Sequence, residues 1–130
     1  MKTKLFLLLY FLLTVLCSCG DILASRKNIV GRYYLVEDEG SNAFSIRYKL
    51  ATGDFIGRVP APVVEYGWND SVLVVKTMCE PGNEVYVIDM RKDFEFADKS
   101  EYLIRVLSEV EYNRNWQDQL KLKFERSEYR

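Results

Sequence analysis

No histidine occurs in the 130 residues of the chain. Its absence removes Ser-His and Cys-His nucleophile systems, the commonest general acid–base group near neutral pH and the commonest zinc ligand. Chemistry would then fall to carboxylates and thiols. Hydrolysis of a glycosidic bond by carboxylates alone needs two acids facing one cleft. Glu65, Asp70 and Asp89 are the candidates, and each falls at a strand end or turn of the pattern below, where an acid is ordinarily solvated or caps a turn. Glu37, Asp38 and Glu39 offer adjacent oxygen ligands for Ca²⁺ but lack the spaced acids and glycine of a dedicated loop, so they read as a charged turn. Gly53 and Gly57 are too sparse for a phosphate-binding loop. No catalytic residue, metal site or cofactor is assigned. Three cysteines remain: Cys17, Cys19 and Cys79. Cys79 has no histidine to activate it and reads as a small, partly buried apolar side chain near a turn.

The first residues have a different logic. Lys2 and Lys4 precede a run of twelve residues, LFLLLYFLLTVL, that carries no charge. Such a run suits the apolar region of a signal peptide and is too short for a transmembrane helix, which needs roughly 20 apolar residues. Polar sequence follows from Ser18 onward. The junction Leu16-Cys17-Ser18-Cys19 resembles the lipobox of bacterial lipoproteins. Leu16 stands three before the modified cysteine and small Ser18 just before it. Cys17 departs from the usual residue at the middle position but is small enough to fit. Cys17 itself is a poor acceptor, because bulky Leu16 would precede it. The resemblance implies cleavage between Ser18 and Cys19 and a lipid thioether on Cys19. Two or more acyl chains, each CH₂ contributing about 0.8 kcal/mol, make stable anchoring. The expected organisation is a signal peptide over 1–18, a short polar tether over 19–28 and one globular domain over 29–130. The expected location is the cell envelope, at the periplasmic or outer face of a bacterial membrane.

Composition agrees with one folded domain. Apolar residues make up 48% and aromatic residues 14% of the chain, which argues against disorder. Without Lys2 and Lys4, sixteen cations stand against nineteen acids, a net charge of −3. A mildly acidic domain does not suit nucleic acid. Loss of Cys17 and acylation of Cys19 would leave Cys79 unpaired, so no internal disulfide framework is expected.

The elements that would position any site read mostly as strands. Residues 29–37 (IVGRYYLVE) are β-branched and aromatic; residues 44–50 alternate Phe44, Ile46, Tyr48 and Leu50 against Ser45, Arg47 and Lys49. Further strands are expected over 55–59, 63–68, 71–77 and 84–90, the last two forming a hairpin about Glu80-Pro81-Gly82-Asn83. Asp98 and Glu101 have capping-box spacing, and Tyr102, Leu103, Val106, Leu107 and Val110 recur as on one helix face, which predicts an amphipathic helix over about 98–110. The tail 113–130 fits either period. Leu120, Leu122 and Phe124 alternate as in a strand, whereas Trp116, Leu120 and Phe124 repeat every four; the reading favours a second helix. The expected fold is α+β: an antiparallel β-meander of about five to six strands packed against one or two C-terminal helices. The lipobox, the turn and strand Glu80–Met90 and the helix from Asp98 together resemble small bacterial lipoproteins of the domain-of-unknown-function type, a likeness that implies no activity.

Seven aromatics concentrate in the strands: Tyr33, Tyr34, Phe44, Tyr48, Tyr66, Trp68 and Tyr86. They are either the core or an exposed platform, with Tyr48, Tyr66 and Trp68 the candidate binding surface. The expected function is a non-enzymatic binding module meeting an envelope protein or a glycan. The alternatives are a small carboxylate-dependent envelope hydrolase and a structural accessory subunit of a surface complex.

Overall fold

A computed structural model describes residues 25–127. Ser18, Cys19 and the leader lie outside the described residues. Nine strands and three short helices follow in order: β1 (Arg26–Val30), β2 (Tyr33–Asp38), β3 (Ala43–Lys49), β4 (Phe55–Val59), β5 (Val63–Trp68), β6 (Val72–Thr77), β7 (Glu84–Asp89), α1 (Lys99–Tyr102), β8 (Leu103–Ser108), α2 (Glu109–Asn115), α3 (Gln117–Leu120) and β9 (Glu125–Arg126). The strands build two antiparallel sheets rather than one meander. One has the order β1-β2-β3-β4 and the other β8-β7-β6-β5-β9. The chain is β-rich, with more strands than expected.

The sheets face each other across one core. Alternation along β2 and β3 sends Tyr33, Leu35, Ile46 and Tyr48 inward, where they meet Tyr66, Leu73, Val75, Tyr86 and Ile88 of the second sheet. β6 is apolar on both faces because the second sheet is covered twice. On its outer side Val74, Val85, Val87 and Leu107 pack against Tyr112 of α2, with Trp116, Leu120, Leu122 and Phe124 at the margin. The expected hairpin is present, with Val75 opposite Tyr86.

Four expectations are corrected. The stretch 29–37 is not one strand: it breaks at Gly31 (φ +54), and the chain reverses into the β1–β2 hairpin. The Asn28 side chain secures the reversal by donating to the Gly31 and Tyr33 carbonyls. β1 begins at Arg26, so Arg26–Asn28 are paired in the sheet. The helix expected over 98–110 lasts one turn. Glu101 does reach back to the Asp98 amide (2.7 Å), but the chain then extends as β8, which pairs Leu103, Arg105 and Leu107 with Ile88, Val87 and Val85. The free edge of β7 offered hydrogen bonds to a segment containing β-branched Ile104 and Val106, and tertiary pairing overrode a helical pattern. The apolar stripe is accordingly split: Tyr102 and Leu107 are buried, while Val106 and Val110 are exposed. In the tail, helix ends at Leu120, Lys121 turns in the left-handed region (φ +48), and β9 adds to β5.

That final segment crosses β5 at Gly67. A Cβ there would stand 2.9 Å from the Lys123 carbonyl oxygen and 3.4 Å from the Leu122 Cβ. Backbone does not yield easily, so Gly67→Ala is expected to lose about 1–3 kcal/mol of stability. Urea unfolding measures it. A midpoint equal to wild type would mean that the segment lifts off β5 without cost.

Candidate functional site

The connection from β7 to α1 closes one end of the sandwich, and Asp93 is its anchor. The Asp93 carboxylate receives Arg58 Nε (2.8 Å to Oδ2), Arg58 Nη2 (2.8 Å to Oδ1) and the Tyr33 hydroxyl (2.7 Å). Arg58 also donates through Nη2 to the Phe94 carbonyl oxygen (3.0 Å). The Arg58 and Asp93 side chains are 4% and 0% exposed, so a full ion pair sits out of water. The guanidinium lies between two rings, 5.0 Å from the Tyr48 centroid and 4.4 Å from that of Tyr102. Burial works against the Arg58 charge, but the Asp93 carboxylate outweighs it and holds the guanidinium above its ordinary pKa. Burial, reinforced by Asp93, pushes the Tyr33 hydroxyl far up. A buried charge needs this many partners, because each unmet bond would be lost desolvation.

A second set of contacts fixes the next residues. Glu95 takes a salt bridge from Arg32 (3.1 Å) in the β1–β2 turn and a hydrogen bond from the Ala51 amide. Residues 93–95 are thus held by β2, β4 and two turns. Between these tethers the side chains facing outward are aromatic: Phe94 is 48% exposed and Phe96 85%. Two bare rings on a loop held from beneath are unusual, since large apolar side chains ordinarily retreat from water.

The loop's position is set by β2. Arg32, in the turn just before β2, and Tyr33, its first residue, hold the loop. At the far end of the strand Glu37 donates its amide to the Ser25 carbonyl. The loop and the point where the described chain begins therefore lie at opposite ends of a six-residue strand, roughly 20 Å apart.

The sequence-derived candidates fall elsewhere. Tyr48 and Tyr66 are buried, and Trp68 is partly buried and stacked on Tyr66 (6.1 Å between centroids, 17° between planes), so they belong to the core rather than to a platform. Tyr33 and Tyr86 are buried too, and Tyr34 and Phe44 are half-buried. Glu65 bridges Lys76 (3.5 Å) and Arg126 (3.6 Å); Asp89 pairs with Arg91 (3.0 Å), which holds its carboxyl below the usual range; Asp70 stands exposed in the β5–β6 turn. Cys79 is exposed, not partly buried. Among the described residues no cluster of acids or cysteines is arranged to hold a metal ion, and no helix is long and apolar enough to cross a membrane. Two open grooves are present. One of about 620 Å³ runs from Asp38, Ser45 and Arg47 to Pro60 and Ala61; another of about 440 Å³ lies beside Cys79, Glu80 and Val106.

Sequence reasoning missed the Arg58–Asp93 pair, which joins residues 35 positions apart, one in β4 and one in the loop after β7. A local signal did exist. Asp93-Phe94-Glu95-Phe96 alternates acid and ring in a segment with no strand or helix of its own.

Compared with known proteins, the chain matches no protein family, no curated protein and no solved structure.

Proposed function

We propose that this chain is a bacterial lipoprotein, held to a membrane of the cell envelope through lipid on Cys19, and that it acts there as a non-enzymatic binding module whose contact surface is the Phe94–Phe96 loop. Leu16, Ser18 and Cys19 support the anchor. One observation carries the contact surface: two phenylalanine rings stand in solvent on a segment whose backbone is fixed by a buried, bidentate ion pair. Interface energy concentrates in a few aromatic anchors, and a loop already held in place loses little entropy on binding. The placement fits as well. Five residues lie between Cys19 and Ser25, and the six steps from one to the other span at most about 22 Å. The Ser25 end is thus tied within reach of the bilayer, and the loop, at the other end of β2, meets a protein of the envelope with an apolar socket in this reading.

The test uses the full chain in its own cells. A photocrosslinking residue at Phe96 is expected to yield a discrete protein adduct, the same residue at exposed Asp118 none, and Phe94→Ser with a crosslinker at 96 at least tenfold less. Cys19→Ser is expected to move the protein from the membrane to the soluble fraction. Absence of an adduct at 96, or equal adducts at 118, would overturn the contact surface. Retention of the Cys19→Ser protein on membranes would overturn the anchor.

A further inference from the structure

The exposed apolar side chains divide by position. Among the described residues six large ones stand in water: Phe94 and Phe96 on the loop, Ile104 and Val106 along β8, and Met78 and Val110. The last two belong to one end of the sandwich. Met78 (58% exposed) opens the turn between β6 and β7. Asn83, which closes that turn, accepts a hydrogen bond from the Glu109 amide at the start of α2 (3.2 Å), and Val110 (67% exposed) follows directly. Prolines stand at the same end. Pro60 and Pro81 are exposed, and the Pro62 carbonyl accepts from the Met78 amide (2.9 Å).

A series of contacts ties this end to Ser25. The Ser25 carbonyl accepts from the Glu37 amide at the far end of β2 (2.9 Å). Two residues on, Lys27 bridges Glu125 of β9 (3.2 Å). Two residues beyond Glu125, Ser127 donates its amide to the Val64 carbonyl (2.9 Å) and its hydroxyl to that of Val63. Val63 pairs with Thr77, the residue before Met78. The start of β1 and the β6–β7 turn therefore share one end of the sandwich. The Phe94–Phe96 loop, rooted by Arg32 and Tyr33, lies at the other.

The reach of the tether says what this end can meet. An anchor on Cys19 keeps Ser25 within about 22 Å of the bilayer. Lipid is thereby held close to these side chains, and a soluble partner gains no such proximity. A few apolar side chains do not keep a free domain on a membrane, but they orient one that a lipid already holds there. The acids Glu39 and Glu80 stand exposed at this end, so the contact draws on apolar side chains rather than on anionic headgroups.

We propose that the end of the sandwich carrying Met78 and Val110 rests on the bilayer, with these two side chains inserted among the lipids and the Phe94–Phe96 loop presented away from the membrane. This orientation rests on the anchor at Cys19 proposed above.

The test uses the full lipidated chain in phosphatidylcholine vesicles, with a nitrobenzoxadiazole label on the exposed Cys79 thiol beside Met78. A second sample carries Cys79→Ser with Asp70→Cys, which moves the label to the β5–β6 turn, at the far end of β5 from Val63. Nitroxide on the lipid acyl chains is expected to quench the label at 79 at least threefold more than the label at 70. Met78→Asp with Val110→Asp is expected to bring quenching at 79 down to the level at 70, with an unchanged melting temperature. Phe94→Ser with Phe96→Ser is expected to leave it as it was. Sedimentation with the vesicles reads the anchor separately. Protein that sediments while both labels quench equally would overturn the orientation and leave the anchor standing. Quenching at 79 that survives both aspartates would overturn the assignment to Met78 and Val110. Protein that stays in the supernatant would overturn the anchor and the orientation with it.

Discussion

Asp93→Ala is expected to cost about 3–5 kcal/mol of folding free energy, the range for breaking a buried ion pair by removing one partner. The magnitude follows from what stays behind. Arg58 would keep its charge with its side chain 4% exposed, and its two bonds to the carboxylate would go unmet. The Tyr33 hydroxyl would lose its acceptor as well. Cation–π contact with Tyr48 and Tyr102 offsets only part of that, since each is worth about 1–2 kcal/mol. The exposed Lys27–Glu125 pair is the contrast: at 3.2 Å its geometry is good, yet solvent reduces it to roughly 0–1 kcal/mol. Urea unfolding of Asp93→Ala beside Lys27→Ala separates the two regimes. Arg58→Met combined with Asp93→Ala is expected to recover much of the loss, because the double change leaves no stranded charge. A loss below about 1 kcal/mol in the single variant would mean that water reaches Arg58, contrary to its burial. The same variant frees the root of the Phe94–Phe96 loop, so loop-dependent crosslinking should fall with it.

Stability is expected to collapse as pH rises above about 10. Five tyrosines, Tyr33, Tyr66, Tyr86, Tyr102 and Tyr112, have hydroxyls held above the ordinary value of 10.0, in each case chiefly because burial disfavours phenolate. Asp93 and Glu84 strengthen the effect at Tyr33 and Tyr86 by accepting their protons in hydrogen bonds. The buried Tyr112 hydroxyl has no hydrogen-bond partner among the described residues. Above pH 10 the unfolded chain releases these protons while the folded chain keeps them. The unfolded state then binds fewer protons, so unfolding free energy falls with pH. Each tyrosine contributes up to about 1.4 kcal/mol per pH unit. Below pH 10 the contribution is fully present; it is lost as pH climbs toward the raised folded values. With five groups acting together, tyrosinate absorbance and loss of sheet circular dichroism are expected to rise in one transition. Ionisation of these tyrosines at their ordinary pKa with the sheet signal intact would defeat the prediction.

Local pattern carried much of the fold. The alternation in β3, the hairpin of β6 and β7 and the cap at Asp98 were legible because each depends on neighbours in sequence: side-chain period, turn residues, a carboxylate three positions away. Boundaries failed where a distant partner intervened. Residues 103–108 have a pattern that suits a helix, and the open edge of β7 made them a strand. The break at Gly31 hid inside a β-rich run because glycine also fits a strand, and only the pairing of β1 with β2 required its positive φ.

By itself the sequence determined the uncharged apolar run of twelve residues near its start, the lack of any histidine chemistry and the strand character of most of the chain, since these are properties of residue types and short spacings. Only the tertiary structure decided that the strands divide into two sheets, that Tyr48 and Tyr66 are core and that Phe94 and Phe96 are the exposed rings. Burial depends on which surfaces meet, and an aromatic residue is equally suited to either side. The Arg58–Asp93 pair belongs to the same class: a buried charge becomes stable only where a distant partner, a hydroxyl and two rings converge on it, and no window of the chain contains that convergence.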